Sequence, residues 1–477
     1  MTEERAVAIA ADFPSTEPWA PELLSASADF AFRLGDTDAA ENQLEAALDE
    51  LERRREQVAP GNDRIAYLDQ VHSIYERLIA LELNLARPEK SLEVLERFRA
   101  RTLLDRLQIF AEPNGQATRQ DGANISPLNG RELRQRMPEN TLLVVYAVIE
   151  KHLVTWLIRP EGIVVTTQQS SWEDVSTLVE RLHDAERRQE VLTELDSYLV
   201  RPWQNKIRIG DRLIFVPTSS LYRVPFAALV DPDSGRFLIQ DHAVGVASSA
   251  SEFVAAVEHD RTLSGRPLGS VLLVGDPTID KHSYLPGLPG TAHEIDLLKD
   301  VYGGLDVRTL LRGKATPANV LSLLERSDIV HLAVHALPDR NDPGRSHFVL
   351  TATESTSGDL SARDIVGLRL TRTRVVMMAA CSTQVGPVSP SEGALSLSSS
   401  FLATGVPAVV GSLWLVDDAS TTRLSVRFHQ ELRRGADALS ALRTAQREEI
   451  ESALGRTDWN WASFELFGGV ANRLPDL

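Results

Sequence analysis

Apolar residues recur at helical spacing in the first quarter of the chain. Leucines and alanines between positions 44 and 51 follow one another at steps of three and four, the period of one face of an α-helix. A second pair of helices is predicted over residues 65–85 and 88–110, where Pro88 occupies a first turn, a position that tolerates proline. The pattern over residues 21–110 therefore predicts two helical hairpins.

The first hairpin resembles a tetratricopeptide repeat. Ala40, Leu44 and Ala47 follow the pair Leu34-Gly35, and such repeats stack small residues of paired helices against a neighbouring aromatic ring. Stable solenoids usually need about three units, and only two are visible here. Residues 1–110 are therefore predicted to be a tetratricopeptide-like helical region, with an ordinary helical hairpin packed on the next domain as an equal alternative.

A change in composition follows the helical region. Residues 111–130 are rich in Gly, Asn, Gln and Pro and nearly free of large apolar side chains, which predicts a linker. Three short β-rich runs come next, at 141–149, 152–159 and 162–168, separated by polar breaks as in an antiparallel meander. A helical stretch from residue 172 to about 204 completes this part.

From Asp211 onward, short apolar runs alternate with helical stretches. The predicted strands are residues 212–217, 270–275, 328–334, 374–380 and 408–414. The predicted helices include residues 291–302, 316–326, 393–404 and 418–433. Continuous apolar strands joined by helical crossovers indicate an α/β fold with a mostly parallel sheet flanked by helices. In such sheets the chemistry collects where strands end at their carboxyl side.

Length, charge and cysteine count disfavour several classes of partner and site. A length of 477 residues predicts two or three domains, and 50 basic against 67 acidic residues give a net charge of −17, which disfavours nucleic-acid and membrane partners. The longest apolar stretch, residues 142–149, is far shorter than the roughly 20 residues that span a bilayer. The first residues lack a signal-peptide core, so a cytoplasmic location is expected. A single cysteine, Cys381, excludes an internal disulfide and a Cys-rich zinc site.

Two predicted strands run directly into reactive side chains, His335 and Cys381. If these strands are parallel neighbours, the imidazole can deprotonate the thiol, which is otherwise only a few per cent ionised at neutral pH. His335 precedes Cys381 by 46 residues, close to the roughly 50 that separate the caspase pair. A buried structural cysteine is the alternative, although Cys381 opens a polar run after its strand. His331, within its strand, is expected to be a hydrogen-bonded core residue.

Several blocks in order resemble a CHAT domain, a caspase-like cysteine peptidase module, over residues 140–477. They are FVPTSSLYRVPFAAL, FLIQDHAVGVASSAS, LPGLPGTAHEI, HLAVHA, GDLSARDI, AACSTQVG, FLATGVPAVVGSLWLVDD, ALRTAQ and WASFELFG. The resemblance implies a degenerate caspase-like half over residues 131–260 and a catalytic half over residues 261–477. It also fits the helical N-terminal part, because tetratricopeptide-like repeats commonly precede such domains.

The resemblance implies a role for each candidate residue. His335 would be the general base and Cys381 the nucleophile, and the backbone N–H groups of Cys381 and Ala336 would stabilise the oxyanion. The family usually has glycine at the positions of Ala336 and Gln384, so both are departures. Neither removes a reacting group.

The block SLWLVDD resembles the separase segment whose aspartate lines the pocket for a basic residue before the scissile bond. Asp418, with Asp417 as the alternate, would then select Arg or Lys through a charge-assisted pair. Two aspartates before Ala-Ser-Thr-Thr are also a good helix N-terminus. The two roles do not exclude each other.

The sequence thus predicts a cysteine endopeptidase that acts on a protein substrate, with a regulatory protein partner bound through the helical N-terminus. The resemblance implies a prokaryotic context, in some relatives defence or cell death. A catalytically inactive scaffold is the alternative, supported by Ala336 and Gln384. Neither a metal nor another cofactor is expected, because Gly313-Lys314 lacks the rest of a phosphate-binding loop, and Leu332 stands where the glutamate of a zinc motif would be.

Overall fold

The computed structural model describes most of the chain. The described residues are 19–58, 62–99, 127–182, 184, 186–279, 285–380, 383, 386–452 and 459–470. Cys381, Gln384 and the predicted linker up to residue 126 lie outside these ranges.

Four helices lie in the described part of the N-terminal region, as the periodicity predicts. They are α1 (Ala20–Arg33), α2 (Thr37–Gln57), α3 (Asn62–Asn84) and α4 (Pro88–Phe98). Gly35, with a φ of 82°, turns the chain after α1, and the Asp36 side chain caps α2 by accepting a hydrogen bond from the Ala39 N–H. The part of the second predicted hairpin beyond residue 99 lies outside the described residues.

One sheet of eleven strands forms the centre of the protein, in the order β3-β2-β1-β4-β5-β16-β15-β12-β8-β6-β7. Its strands are β1 (Thr141–Ile149), β2 (His152–Arg159), β3 (Gly162–Ser171), β4 (Arg212–Val216), β5 (Ala243–Val246), β6 (Ser270–Gly275), β7 (Asp306–Leu311), β8 (Ile329–Ala333), β12 (Val375–Met378), β15 (Ala408–Ser412) and β16 (Phe464–Gly468). Strands β4, β6, β8, β12 and β15 are buried along almost their whole length, as expected for strands covered on both faces.

The sheet is mostly parallel, with two antiparallel parts. Strands β1, β2 and β3 form the predicted antiparallel meander. The last strand, β16, lies between β5 and β15, parallel to the first and antiparallel to the second. Strands β1 to β5 therefore form one side of the sheet and the strands after residue 260 form the other. This arrangement matches the two halves that the resemblance implies, and the division itself stays a prediction.

The remaining elements surround this sheet. The helices are α5 (Gly130–Arg136), α6 (Trp172–Arg181), α7 (Arg188–Leu199), α8 (Leu238–Asp241), α9 (Ala250–Leu263), α10 (Pro289–Val301), α11 (Pro317–Leu324), α12 (Ala362–Val366), α13 (Leu397–Leu402), α14 (Asp418–Arg433) and α15 (Ala438–Glu451). A small sheet contains β9 (His335–Leu337), β10 (His347–Val349) and β11 (Asp359–Ser361), and β13 (Val388–Ser389) pairs with β14 (Gly393–Ala394).

The predicted helix over residues 393–404 is wrong at its start. Gly393 has a φ of 74°, outside the helical region, and pairs with Ser389 in the β13–β14 hairpin. The helix begins only at Leu397, where the Ser396 side chain caps it. The segment after Cys381 thus folds into a hairpin before it becomes helical.

Buried polar contacts join the N-terminal helices to the sheet domain. The Glu96 carboxylate of α4 accepts hydrogen bonds from the N–H groups of Ala250 and Ser251, at 3.1 and 2.7 Å, at the N-terminus of α9. The Trp156 indole donates to the Ser91 hydroxyl at 3.0 Å. These side chains are buried, so the helical region packs as part of the same body rather than as a separate arm.

Candidate active site

Strands β8 and β12, which lead to the two candidate catalytic residues, are parallel neighbours. Leu332 of β8 pairs with Met378 of β12 in the sheet register. His335 follows Leu332 by the same number of residues as Cys381 follows Met378. Cys381 itself lies outside the described residues, so its role stays a prediction. The two strands are thus parallel neighbours, which is the arrangement that the sequence hypothesis requires.

His335 opens β9 at the carboxyl edge of the sheet and is half-buried. Its Nε2 lies 2.8 Å from the carbonyl oxygen of Pro286, in the segment before α10. Because a carbonyl oxygen can only accept a hydrogen bond, Nε2 carries the proton in this contact and Nδ1 keeps its lone pair. The contact therefore leaves one ring nitrogen able to act as a base. The role of Pro286 has no side-chain signature, and sequence reasoning missed it, although it lies within a quoted block.

Ser412, at the end of β15, holds the chain on both sides of Cys381. Its hydroxyl donates a 2.6 Å hydrogen bond to the carbonyl of Ala380, and its N–H donates a 2.8 Å bond to the hydroxyl of Thr383. Ser412 is fully buried and Thr383 nearly so. A buried serine that bonds the residue before and a residue after a candidate nucleophile restricts where that nucleophile can lie. The sequence shows Ser412 only as a polar residue within the apolar run 408–414, so this contact was not predicted.

Ala336 is buried and has no positive φ. Glycine's special freedom at positive φ is therefore not needed at this position. Alanine in place of glycine at position 336 therefore causes no backbone strain and keeps the N–H donor. Gln384 lies outside the described residues, so the second departure is not described.

The two adjacent aspartates, Asp417 and Asp418, have different environments. Asp417 is the N-cap of α14 and accepts a 3.0 Å hydrogen bond from the Ser420 N–H. Asp418 is solvent-exposed, and its Oδ2 lies 3.5 Å from where a β-carbon on Gly290 would be. In the described part of the chain, no lysine or arginine pairs with Asp418. The predicted helix N-terminus is thus observed, and Asp417 is the residue that caps it.

The charges of neighbouring groups, His335 among them, act on the Asp418 carboxylate. Partial desolvation, then the neighbouring carboxylates of Asp417 and Glu294, raise the pKa of Asp418, while the His335 imidazole opposes this shift. An exposed carboxylate that has acidic neighbours and, among the described residues, no cationic partner favours binding of a positive charge.

Buried polar side chains connect Glu294, a neighbour of Asp418, to the protein core. His331 Nδ1 lies 3.1 Å from His429 Nε2, and His429 Nδ1 lies 2.7 Å from the Tyr302 hydroxyl. On the other side, His331 Nε2 lies 3.1 Å from Glu294 Oε1. Burial, then the charge of His331, holds the pKa of His429 well below its ordinary value, so this imidazole is neutral. As expected, His331 is a buried, hydrogen-bonded core residue.

The described residues contain no group of three or more His, Cys, Asp or Glu side chains that could hold a metal ion. Within the same residues, no helix is both long and apolar enough to cross a bilayer.

Comparison with known proteins identifies a family model, curated relatives and a solved structure that match this chain. The family model described as CHAT domain matches residues 189–469. Human tetratricopeptide repeat protein 28 is 24% identical over 300 residues, which cover 54% of this chain and 12% of that protein; the mouse protein matches to the same extent. A chain of the Saccharomyces cerevisiae separase–securin complex matches with a TM-score of 0.54 and 9% identity, over 98% of this chain and 40% of that one. The chain thus spans a small part of the curated relatives it matches, and the structural likeness concerns the fold.

Proposed function

Because the chain belongs to the CHAT domain family, we propose that it is a cysteine endopeptidase in which Cys381 is the nucleophile and His335 the general base. The observation that carries this proposal is the pairing of β8 with β12, together with the hydrogen bond that orients His335. Parallel neighbours end at the same edge of a sheet, so the residues that follow them share one site.

The chemistry follows from the orientation of His335. Its Nδ1 takes the proton of the Cys381 thiol, and the thiolate attacks the carbonyl carbon of the scissile bond. The backbone N–H groups of Ala336 and Cys381 stabilise the oxyanion of the tetrahedral intermediate. His335 then gives its proton to the leaving amine, and a water activated by His335 hydrolyses the thioester. The carbonyl of Pro286 holds the imidazole in place.

Asp418 is proposed to bind the cationic side chain before the scissile bond. It is exposed, lies near His335 and pairs with no described cation, whereas Asp417 is used by its own helix. A bound guanidinium would form a charge-assisted pair with Asp418 and lower its raised pKa. We therefore expect cleavage after Arg or Lys.

The N-terminal helices are proposed to bind a regulatory protein partner and to transmit its binding to the site. One oxygen of Asp69 in α3, Oδ1, accepts hydrogen bonds from the Ser389 hydroxyl and from the N–H and hydroxyl of Ser391, at 2.9, 3.0 and 2.7 Å. Both serines belong to the hairpin that follows Cys381 in the chain. A partner that shifts α3 would therefore move the segment next to the nucleophile.

The proposal is tested by cleavage of a positional peptide library with the wild-type protein and Cys381→Ala side by side. Cleavage that the variant abolishes supports the endopeptidase. The second measurement is the rate at which iodoacetamide alkylates Cys381, the single cysteine of the chain, from pH 5 to pH 10. The midpoint should lie below the roughly 8.5 of a free thiol and return toward that value in His335→Ala. A midpoint at or above 8.5 in the wild-type protein contradicts the dyad.

A second candidate function is a binding scaffold without catalysis. It is favoured by the helical region and by the curated relatives, which are named for tetratricopeptide repeats. Ala336 gives it no support, because its φ is not positive. A thiol that stays unreactive in the folded protein, with no cleavage in the presence of a bound partner, would favour the scaffold.

A further inference from the structure

A cleft of about 860 Å³ lies next to segments that lead into the candidate active site. Part of its lining comes from the three segments that come after β8, β12 and β15 in the chain. Arg340 comes after His335, Gly386 and Pro387 come after Cys381, and Trp414 comes after β15. The cleft is therefore built partly by the same segments that carry His335 and Cys381.

The charge of this cleft is opposite to that of the protein. Arginines at positions 188, 223 and 340 line it, with Glu180 as its acidic lining residue. The chain as a whole carries a net charge of −17. A cluster of arginines on such a protein makes a local positive potential that attracts a negative ligand.

Two of these arginines are available to a ligand, and the third is fixed. Arg223 and Arg340 are exposed, and neither forms an ion pair with an acidic residue in the described part of the chain. Arg188 lies 5.0 Å above the Trp414 ring, which holds its guanidinium at the wall of the cleft. Next to it, Leu415 is 74% exposed, an unusual state for a leucine. The cleft thus offers guanidinium groups beside an apolar surface.

We propose that this arginine cleft binds an acidic segment of the protein substrate, with carboxylate side chains on Arg223 and Arg340 and an apolar side chain on Trp414 and Leu415. The inference rests on the proposed function, because it places the substrate beside His335. Guanidinium groups bind carboxylates through paired hydrogen bonds, which gives this cleft a preference for Asp and Glu over their amides. The arginine cleft and Asp418 together would bind acidic and basic side chains of the same peptide.

The test measures binding separately from cleavage. Two labelled peptides share an arginine and a leucine, and they differ in carrying either glutamates or glutamines at the other positions. Their affinity for Cys381→Ala is measured by fluorescence anisotropy, and their cleavage is measured with the wild-type protein. We expect the glutamate peptide to bind at least about tenfold more tightly, as a charge-assisted hydrogen bond allows. Arg223→Gln combined with Arg340→Gln should abolish this difference.

A matched control is Arg312→Gln, because Arg312 is 77% exposed and does not line the cleft. It should keep the preference for glutamate, and thermal unfolding should show that all variants fold. Equal binding of the two peptides overturns the cleft proposal even where cleavage occurs. A preference for glutamate that the double variant abolishes supports the cleft whether or not cleavage occurs. Equal competition by a short single-stranded DNA overturns the peptide assignment in favour of a general polyanion site.

Discussion

Ser412→Ala removes one hydroxyl from the contact that holds the chain around Cys381. The hydroxyl is fully buried and donates a 2.6 Å hydrogen bond to the Ala380 carbonyl. Loss of a buried donor that leaves its acceptor unpaired costs about 1–3 kcal/mol. Because a shift of about 1 Å can reduce catalysis about 100-fold, we expect kcat/KM and the alkylation rate of Cys381 to fall roughly 10- to 100-fold, while the protein still folds.

Thr373→Val is the matched control for this variant. Thr373 is also fully buried, and its hydroxyl donates a 2.8 Å hydrogen bond to the Ser327 carbonyl, before β12 begins rather than after it ends. Both variants should lose similar stability in urea unfolding, and only Ser412→Ala should lose reactivity. Equal reactivity of the two variants would refute the argument that Ser412 positions the nucleophile.

Three further variants test other parts of the structure. Asp418→Asn should reduce cleavage after Arg or Lys at least about tenfold. It should not lower the melting temperature, because the pKa of Asp418 is raised in the folded protein and the charge of its carboxylate therefore opposes folding. Asp417→Asn, in which the asparagine can still cap the helix, should keep the preference for Arg or Lys. Asp69→Ala should change the alkylation rate of Cys381 through the hairpin, whereas Asp63→Ala, an exposed site on the same helix, should not. Burial raises the pKa of Glu465 to about 8, so its stabilising protonated form is complete at low pH and is lost as the pH rises through that value. Glu465→Gln should therefore unfold at a higher urea concentration than the wild type at pH 9, and the gap should close at pH 5.

Several elements could be predicted from the sequence because their signals are local. The helix Asp418–Arg433 begins and ends where its pattern predicts, since an aspartate cap and a continuous amphipathic run define it. Strands β8, β12 and β15 were predicted from their apolar runs, and a mostly parallel sheet follows from their alternation with helices. This local information predicts that His335 and Cys381 each follow a buried strand, whereas the pairing of those two strands as neighbours comes from the structure.

Other elements depend on contacts between distant parts of the chain. The pattern does not single out β7, because it is an edge strand with mostly half-buried or exposed side chains, or the short strand β5. The position of β16 between β5 and β15 brings residues far apart in sequence into one ladder, which no local pattern contains. The wrong helix start at residue 393 has the same origin, because the Gly393 turn packs against the Tyr222 ring.

For the candidate site, the sequence by itself determined the reacting residue types and the strands that lead to them. Only the tertiary structure decided which nitrogen of His335 is free, because the Pro286 carbonyl that orients the ring is a backbone group any residue carries. It also separated Asp417, which caps its helix, from Asp418, whose exposed carboxylate pairs with no described lysine or arginine, although the two are adjacent in the sequence. The physical reason is that residue identity is encoded locally, whereas hydrogen-bond geometry and desolvation arise from groups that folding brings together.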